Sequence, residues 1–456
     1  MNRREMLKTC GVSASATLLS QEPAGGSFVE RPPNIVFLIS DDHSAPHLGC
    51  YGDRAARTPN LDRLASEGMR FNNCIVAAAQ CSPNRSAILT GCSPHTTATS
   101  RLHTPMPEWE PTFLEPLKER GYFTAAMKKV HQGSGFDKRW SLYDKELNLD
   151  RFFAEAPRNR PFFLHVGLTD PHRPYRPGAF DPATDPRSIE IAPCFPDVPE
   201  VRQDLALYYD AIARMDSDFG RVLEFLQRHA LDRNTLIIFT GDNGMPFPRA
   251  KATCYDPGVR VPFVARWPGR IPAGAVNDAL ISHVDFAPTF LELTGLQKTV
   301  KMQGVSMVGQ LTGTGGRRRE EAFSERNWHD HSDPMRSVRT DRYKLIANFA
   351  SGSPYRPTSD LEDSPTWQAM VAVARAGKLS APLLKLFEPT RPMLELYDLS
   401  NDPNEFYNLV DNPAHAETRR HLLLCLSEWM RQTCDFLHPA YERQGEATGR
   451  TWPVTM

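Results

Sequence analysis

Pro33-Asn34-Ile35-Val36-Phe37-Leu38-Ile39-Ser40-Asp41-Asp42 is the stretch on which the fold turns. Residues 35–39 are an unbroken apolar run, the pattern of a strand covered on both faces, as parallel sheets packed between helices require. The run stops at two adjacent aspartates. In open α/β sheets, sites form beyond the carboxyl ends of the strands, and neighbouring carboxylates there repel unless a cation sits between them. The pattern returns downstream. Thr235–Thr240 is apolar and ends in Gly241-Asp242-Asn243-Gly244, Phe162–Leu168 leads into Thr169-Asp170-Pro171-His172-Arg173-Pro174, and Val261–Arg266 resumes a strand after Lys251. Between these runs, Leu205, Ile212, Met215, Phe219, Val222, Leu223 and Leu226 recur at helical spacing, which predicts an amphipathic helix packed on the core. Thr58–Gly68 reads as a short helix with Asn60 as its N-cap and Gly68 as its stop. Such alternation predicts an α/β fold with a large, mostly parallel central sheet flanked by helices.

The chain has 456 residues and 40% hydrophobic content, enough for one large core and a smaller lobe. Its 53 basic and 54 acidic residues leave a formal charge of -1. No global field therefore favours nucleic acid or an anionic membrane as partner. Its 9 cysteines include no Cys-x-x-Cys pair, which argues against a zinc ribbon or a thioredoxin-like centre. Cys425 and Cys434 could pair, although buried free thiols are the preferred reading. Gly313-Thr314-Gly315-Gly316-Arg317-Arg318-Arg319-Glu320-Glu321 is a glycine-rich, charged break. It predicts a catalytic domain over residues 31–315 and a C-terminal subdomain over 316–456. The latter should hold a hairpin near 337–346, a strand near 395–399 and a closing helix near 416–431. Residues 1–30, with Arg3-Arg4 ahead of a weakly apolar stretch, predict a twin-arginine-like export signal and an exported, periplasmic or extracellular bacterial protein. No stretch predicts stable membrane insertion.

Gln80-Cys81-Ser82-Pro83-Asn84-Arg85 opens a segment that continues through Ala87-Ile88-Leu89 to Thr90-Gly91. Pro83 suits the first turn of a helix, so residue 81 should project from a helix N-terminus, where free amides favour anions. With Asp41-Asp42, Asp242-Asn243, Lys128-Lys129-Val130-His131 and Asp170-Pro171-His172, this Cys-x-Pro-x-Arg motif resembles the formylglycine-dependent sulfatases of the alkaline-phosphatase-like superfamily. The resemblance spans about residues 32 to 435. It implies that a formylglycine-generating or anaerobic maturase enzyme oxidises Cys81 to 3-oxoalanine, whose hydrate attacks sulfur. It also implies Asp41, Asp42, Cys81, Asp242 and Asn243 as metal ligands. Hard oxygen donors suit Ca2+, with Mg2+ the alternative, rather than zinc or copper, and an aldehyde hydrate supplies oxygen where a thiolate would be a poor partner. By the same resemblance Arg85, Lys251 and either Lys128 or Lys129 neutralise the sulfuryl oxygens, His172 protonates the leaving group and His131 is the base.

Two branches of the family share further stretches. Leu48–Asp53 and Pro94–Thr97 resemble iduronate-2-sulfatase. Asp170–Arg173, Asp242–Pro248, Asp333–Arg339 and Ser364–Trp367 resemble N-sulfoglucosamine sulfohydrolase, or sulfamidase. The second set implies a heparan-type saccharide carrying an N-sulfate, with Asp170, Arg173, His329 and Arg336 as substrate contacts. Lys251 stands where sulfamidase has arginine and most sulfatases have lysine. An O-sulfatase acting on another glycan or an aryl sulfate, a phosphoester hydrolase and a non-catalytic glycan-binding protein are the alternatives.

Overall fold

Strand β1 (Asn34–Ser40) lies in the middle of an eight-stranded sheet in the computed structural model, which describes residues 32–435 and 437. Its neighbours are β5 (Phe162–Gly167) and β6 (Thr235–Gly241), both parallel to it. Sheet order is completed by β2 (Met69–Ile75), β3 (Phe123–Lys128), β4 (Leu142–Asp144), β7 (Arg260–Arg266) and β8 (Ala275–Ser282), arranged β4-β3-β5-β1-β6-β7-β2-β8. Only β7 runs against its neighbours. The fold is therefore the mostly parallel α/β architecture expected.

The two-residue period of a strand explains the two halves of the core. Val36 and Leu38 face the cluster built on the Pro199–Arg228 helix, including Ile212, Met215 and Phe219. Ile35, Phe37 and Ile39 face the opposite cluster, where the Phe37 ring meets Phe286 and Phe290 at edge-on geometry. Every side chain of the 35–39 run is thus enclosed, as a continuous apolar pattern demands.

Helix α1 (Pro59–Ser66) corrects the sequence reading at its start. Thr58, not Asn60, is the N-cap, and it makes no side-chain cap. The free amides of the first turn are instead taken by Asp216 of the Pro199–Arg228 helix, whose carboxylate accepts from Asn60 N at 3.1 Å and Leu61 N at 2.9 Å. A tertiary partner has replaced the local cap.

A second sheet, β9 (Ala322–Trp328), β10 (Ser332–Arg339), β11 (Tyr343–Asn348) and β12 (Leu394–Asp398), is antiparallel in the order β12-β11-β10-β9. The Ala416–Gln432 helix covers it, packing Leu422, Leu426 and Met430 on Val338, Leu345 and Leu396. The outer edge of β9 is not left bare. Glu325 N donates to Ala77 O at 2.9 Å, Ala79 N donates to Glu325 O at 3.2 Å, and Gln80 Nε2 donates to Trp328 O at 2.9 Å. Both sheets belong to one compact unit that begins at Pro33. Cys425 and Cys434 are free thiols. The expected leader at 1–30 lies outside the described residues, among which no helix is long and apolar enough to cross a membrane.

Candidate active site

Helix α2 (Cys81–Thr90) begins at the motif cysteine itself, after an extended Gln80 that makes no side-chain cap. Cys81 and Arg85 are one turn apart and share a face, pointing toward the carboxyl ends of β1 and β6. There the chain turns sharply: Asp42 sits at φ +61, outside the usual range for a side-chain-bearing residue. That turn aims its amide at Asp242 Oδ1, 3.0 Å away, while Asn243 Nδ2 donates to Asp42 Oδ1 at 2.7 Å. Arg85 Nε donates to Asp242 Oδ2 at 2.7 Å and Arg85 Nη1 to the Lys129 carbonyl at 2.8 Å. Asn84 Nδ2 supports the same loop by donating to Asp242 O at 2.6 Å. Cys81 Sγ lies 3.9 Å from Asp42 Oδ1.

The arrangement carries surplus negative charge away from water. Burial and the neighbouring Asp41 push the Asp242 carboxyl up to about 7, against the pull of Arg85. Burial would raise Asp41 too, but Lys129, His172 and Arg85 hold it well below the usual carboxylate range. Burial and Asp41 push the Cys81 thiol well up, so it keeps its proton and is a poor nucleophile. The buried Oδ1 atoms of Asp41 and Asn243 have no hydrogen-bond partner, and donor atoms of Asp41, Asp42, Cys81 and His172 lie within 4.8 Å of one another. Converging carboxylates, orphaned oxygens and an elevated Asp242 are what a hard divalent cation would relieve, so these residues fit such an ion. They fit an oxygen group at position 81 better than a thiol.

Beside Arg85, lysine and histidine side chains surround this cluster. Lys129 Nζ pairs with Asp41, whereas Lys128, the other lysine singled out in the sequence, turns to Asp218 on the Pro199–Arg228 helix at 2.8 Å. Lys251 is buried and spends its ammonium on Asp42 at 2.8 Å, Asp360 at 2.6 Å and His172 Nε2 at 3.2 Å. His172 Nδ1 donates to the Arg173 carbonyl, which leaves Nε2 facing Lys251 and, at 3.6 Å, Asp42 Oδ2. His131 bonds His103 Nδ1 through its Nε2 at 2.7 Å, and its Nδ1 has no partner. Burial, with Lys129 and Arg85 nearby, pushes His131 down to about 2, so it is neutral.

The four expected substrate contacts are placed unevenly. Asp170 is half-buried at the site's edge and is held by Arg214 at 2.9 and 3.1 Å. Arg173 is committed to Asp204 at 2.8 and 2.6 Å and to the Pro246 carbonyl. His329 is buried beside Asp330, and burial, with Lys251 near, pushes it down to about 4. Arg336 is not brought to the site at all. It is fully enclosed in β10, bidentate to Asp435 at 2.5 and 3.0 Å, so no atom of it can meet a substrate. Its motif is a folding motif. Sequence reading missed Asp360 and His103. Neither carries a recognisable signal: Asp360 enters from the short Ser359–Glu362 helix and His103 from a turn, and each gains meaning only through Lys251 or His131.

Strand ends that gather carboxylates around a buried residue 81, ringed by lysine, arginine and histidine, define a metal-assisted hydrolase of anionic esters. The chain belongs to the sulfatase family and is a sulfuric ester hydrolase: residues 33–296 match the sulfatase model, and residues 249–376 match the model for the C-terminal part of N-sulphoglucosamine sulphohydrolase. An ulvan-active sulfatase of Formosa agariphila is 29% identical over 87% of this chain and 74% of its own length. Human N-sulphoglucosamine sulphohydrolase is 29% identical over 76% of this chain and 80% of its own. Among solved structures, a protein in complex with its substrate D-glucosamine-2-N,6-O-disulfate superposes with a TM-score of 0.69 at 21% identity, covering 89% of this chain and 99% of that one, which bears out the fold.

Proposed function

We propose that this sulfatase removes the N-sulfate of glucosamine in a heparan-type saccharide. The observation that carries the reading is the segment 249–376. It matches the sulphoglucosamine sulphohydrolase C-terminal model and contributes Lys251, His329 and Asp360, a linked group beside the leaving-group histidine. The second reading is an O-sulfatase on another glycan. Lys251 favours it, since lysine is the commoner residue there among sulfatases, and so does the likeness to an ulvan-active relative.

The roles follow from the geometry. Asp41, Asp42, Asp242 and Asn243 would hold a divalent cation, Ca2+ in preference to Mg2+, together with residue 81; such an ion supplies Lewis acidity and charge neutralisation. Formylglycine at residue 81, made by a dedicated maturing enzyme, supplies an oxygen nucleophile. Arg85, Lys129 and Lys251 set positive charge where the sulfuryl oxygens gain negative charge. Asp242, held by Arg85, is placed to take a proton beside residue 81. His172 delivers a proton to the leaving group from Nε2, and Lys251, 3.2 Å away, can replace it. His131 keeps Nδ1 without a partner and is the base on this reading, its low basicity in the empty site offset by the negative charge that a bound sulfate would bring beside it. With an export leader at 1–30, the enzyme would act outside the cytoplasm.

The deciding test is sulfate release from N-sulfoglucosamine beside a panel of O-sulfated sugars, using protein made with the maturing enzyme and Cys81→Ala as the blank. Release from the N-sulfated sugar alone supports the first reading. Release from O-sulfated sugars alone replaces it with the second.

A further inference from the structure

We infer that Glu321, His421 and Cys425 form a second metal site, selective for a borderline-soft divalent ion such as Zn2+. None of the three belongs to the active centre. Glu321 immediately precedes β9, and His421 and Cys425 lie one turn apart on the same face of the Ala416–Gln432 helix. Cys425 Sγ stands 3.8 Å from Glu321 Oε1 and 3.7 Å from His421 Nε2, and the three donor atoms fall within 4.8 Å of one another. A tetrahedral zinc with bonds of about 2.3 Å to sulfur and about 2.0 Å to nitrogen separates those atoms by about 3.5 Å. The observed spacings are close to the edges of that polyhedron before any ion has drawn the ligands in.

A thiol–carboxyl hydrogen bond would by itself account for Cys425 and Glu321. It would not require His421 beside the same sulfur, with Nε2 at 3.7 Å and Nδ1 at 4.0 Å, where a turn of the exposed ring brings either nitrogen onto a shared ion. The donor set also differs in kind from that of the active centre. Thiolate with imidazole selects zinc over calcium or magnesium, whereas the aspartates around residue 81 select the reverse. Glu321 and Cys425 line a cavity of about 910 Å³, which leaves room for a water as fourth ligand. On binding, the Cys425 thiol releases its proton to solvent as Sγ bonds the metal. The ion would clip the arginine-rich connector to the last helix, a structural role with no step in sulfate hydrolysis.

Cobalt(II) tests this, because a thiolate ligand gives an intense charge-transfer band in the near ultraviolet. Full-length, metal-free protein carrying Cys81→Ser, which removes the thiol of the active centre, is titrated with Co2+ and back-titrated with Zn2+. The band should saturate at about one equivalent, vanish as Zn2+ displaces cobalt, and be absent in C425S and much weakened in H421A. Zn2+ should raise the melting temperature of the protein with Cys425 intact and not that of C425S, C425S without zinc should melt as the parent does, and C425S made with Cys81 intact and with the maturing enzyme should release sulfate as wild type does. Absence of the band in the C81S protein, or its survival in C425S, overturns the site.

Discussion

At the scale of single residues, the site separates two lysines that the sequence could not. Lys129 and Lys128 are neighbours, and family spacing permits either. The backbone decides, because Lys128 ends β3 at φ +59, and the turn there sends its side chain to Asp218 and that of Lys129 to Asp41. Lys129→Ala should therefore lower kcat for sulfate release by about 10²–10³-fold, the scale of losing one preorganised charge. Lys128→Ala, which breaks only a half-exposed pair with Asp218, should stay within about twofold. Equal losses in the two variants would reverse the assignment. Residues whose meaning lies in a strand end were legible from the sequence: Asp41, Asp42, Asp242 and His172 each follow an apolar run. Arg336 was not, since a motif arginine looks the same whether it meets substrate or, as here, an internal aspartate.

Among elements, α1 shows how a helix can be correctly located while its start is misplaced and wrongly explained. Local pattern named a cap; the fold supplies Asp216 from another helix. Asp216→Ala should cost about 1–3 kcal/mol in urea denaturation, because the buried Leu61 amide loses its acceptor and the half-buried Asn60 amide loses it too. Burial pushes Asp216 up to about 6, against the pull of those amides, while the unfolded chain titrates near about 4. A folded-state value that is raised makes a stability contribution present below the unfolded value and lost as pH climbs through the folded one. Wild type should thus lose stability relative to Asp216→Asn between pH about 4 and about 6 and level off above. A difference that stays flat across that window removes the claim. The strands were legible because burial on both faces writes a continuous apolar run. Asp216 was not, since an aspartate on a helix reads as solvated until its partner helix is in place.

For the whole molecule, the sequence break at 313–321 suggests two domains, yet the sheets share one compact unit and a hydrogen-bonded seam from Ala77 to Trp328. We expect residues 33–315 expressed alone to lack a cooperative melting transition, because amides and carbonyls along that seam would lose their partners and Glu325 would no longer cover the loop before α2. A soluble fragment that melts cooperatively would establish the first sheet as an independent domain. Chelation acts at the same scale. If the aspartates hold a cation, removing it should lower the melting temperature by an amount that Ca2+ restores with concentration, as linkage requires.

The enclosure of Cys81 has a consequence in time. Its side chain is only 2% exposed, it opens a helix with all ten residues buried, and β9 seals the strand of loop before it. On the proposed reading a maturing enzyme has to reach this side chain, and the docked second sheet leaves it no open path. If formylglycine forms as proposed, conversion and folding would compete for the same segment. A slower maturing enzyme, or a faster-folding chain, would yield molecules that are natively folded, stable and permanently inert.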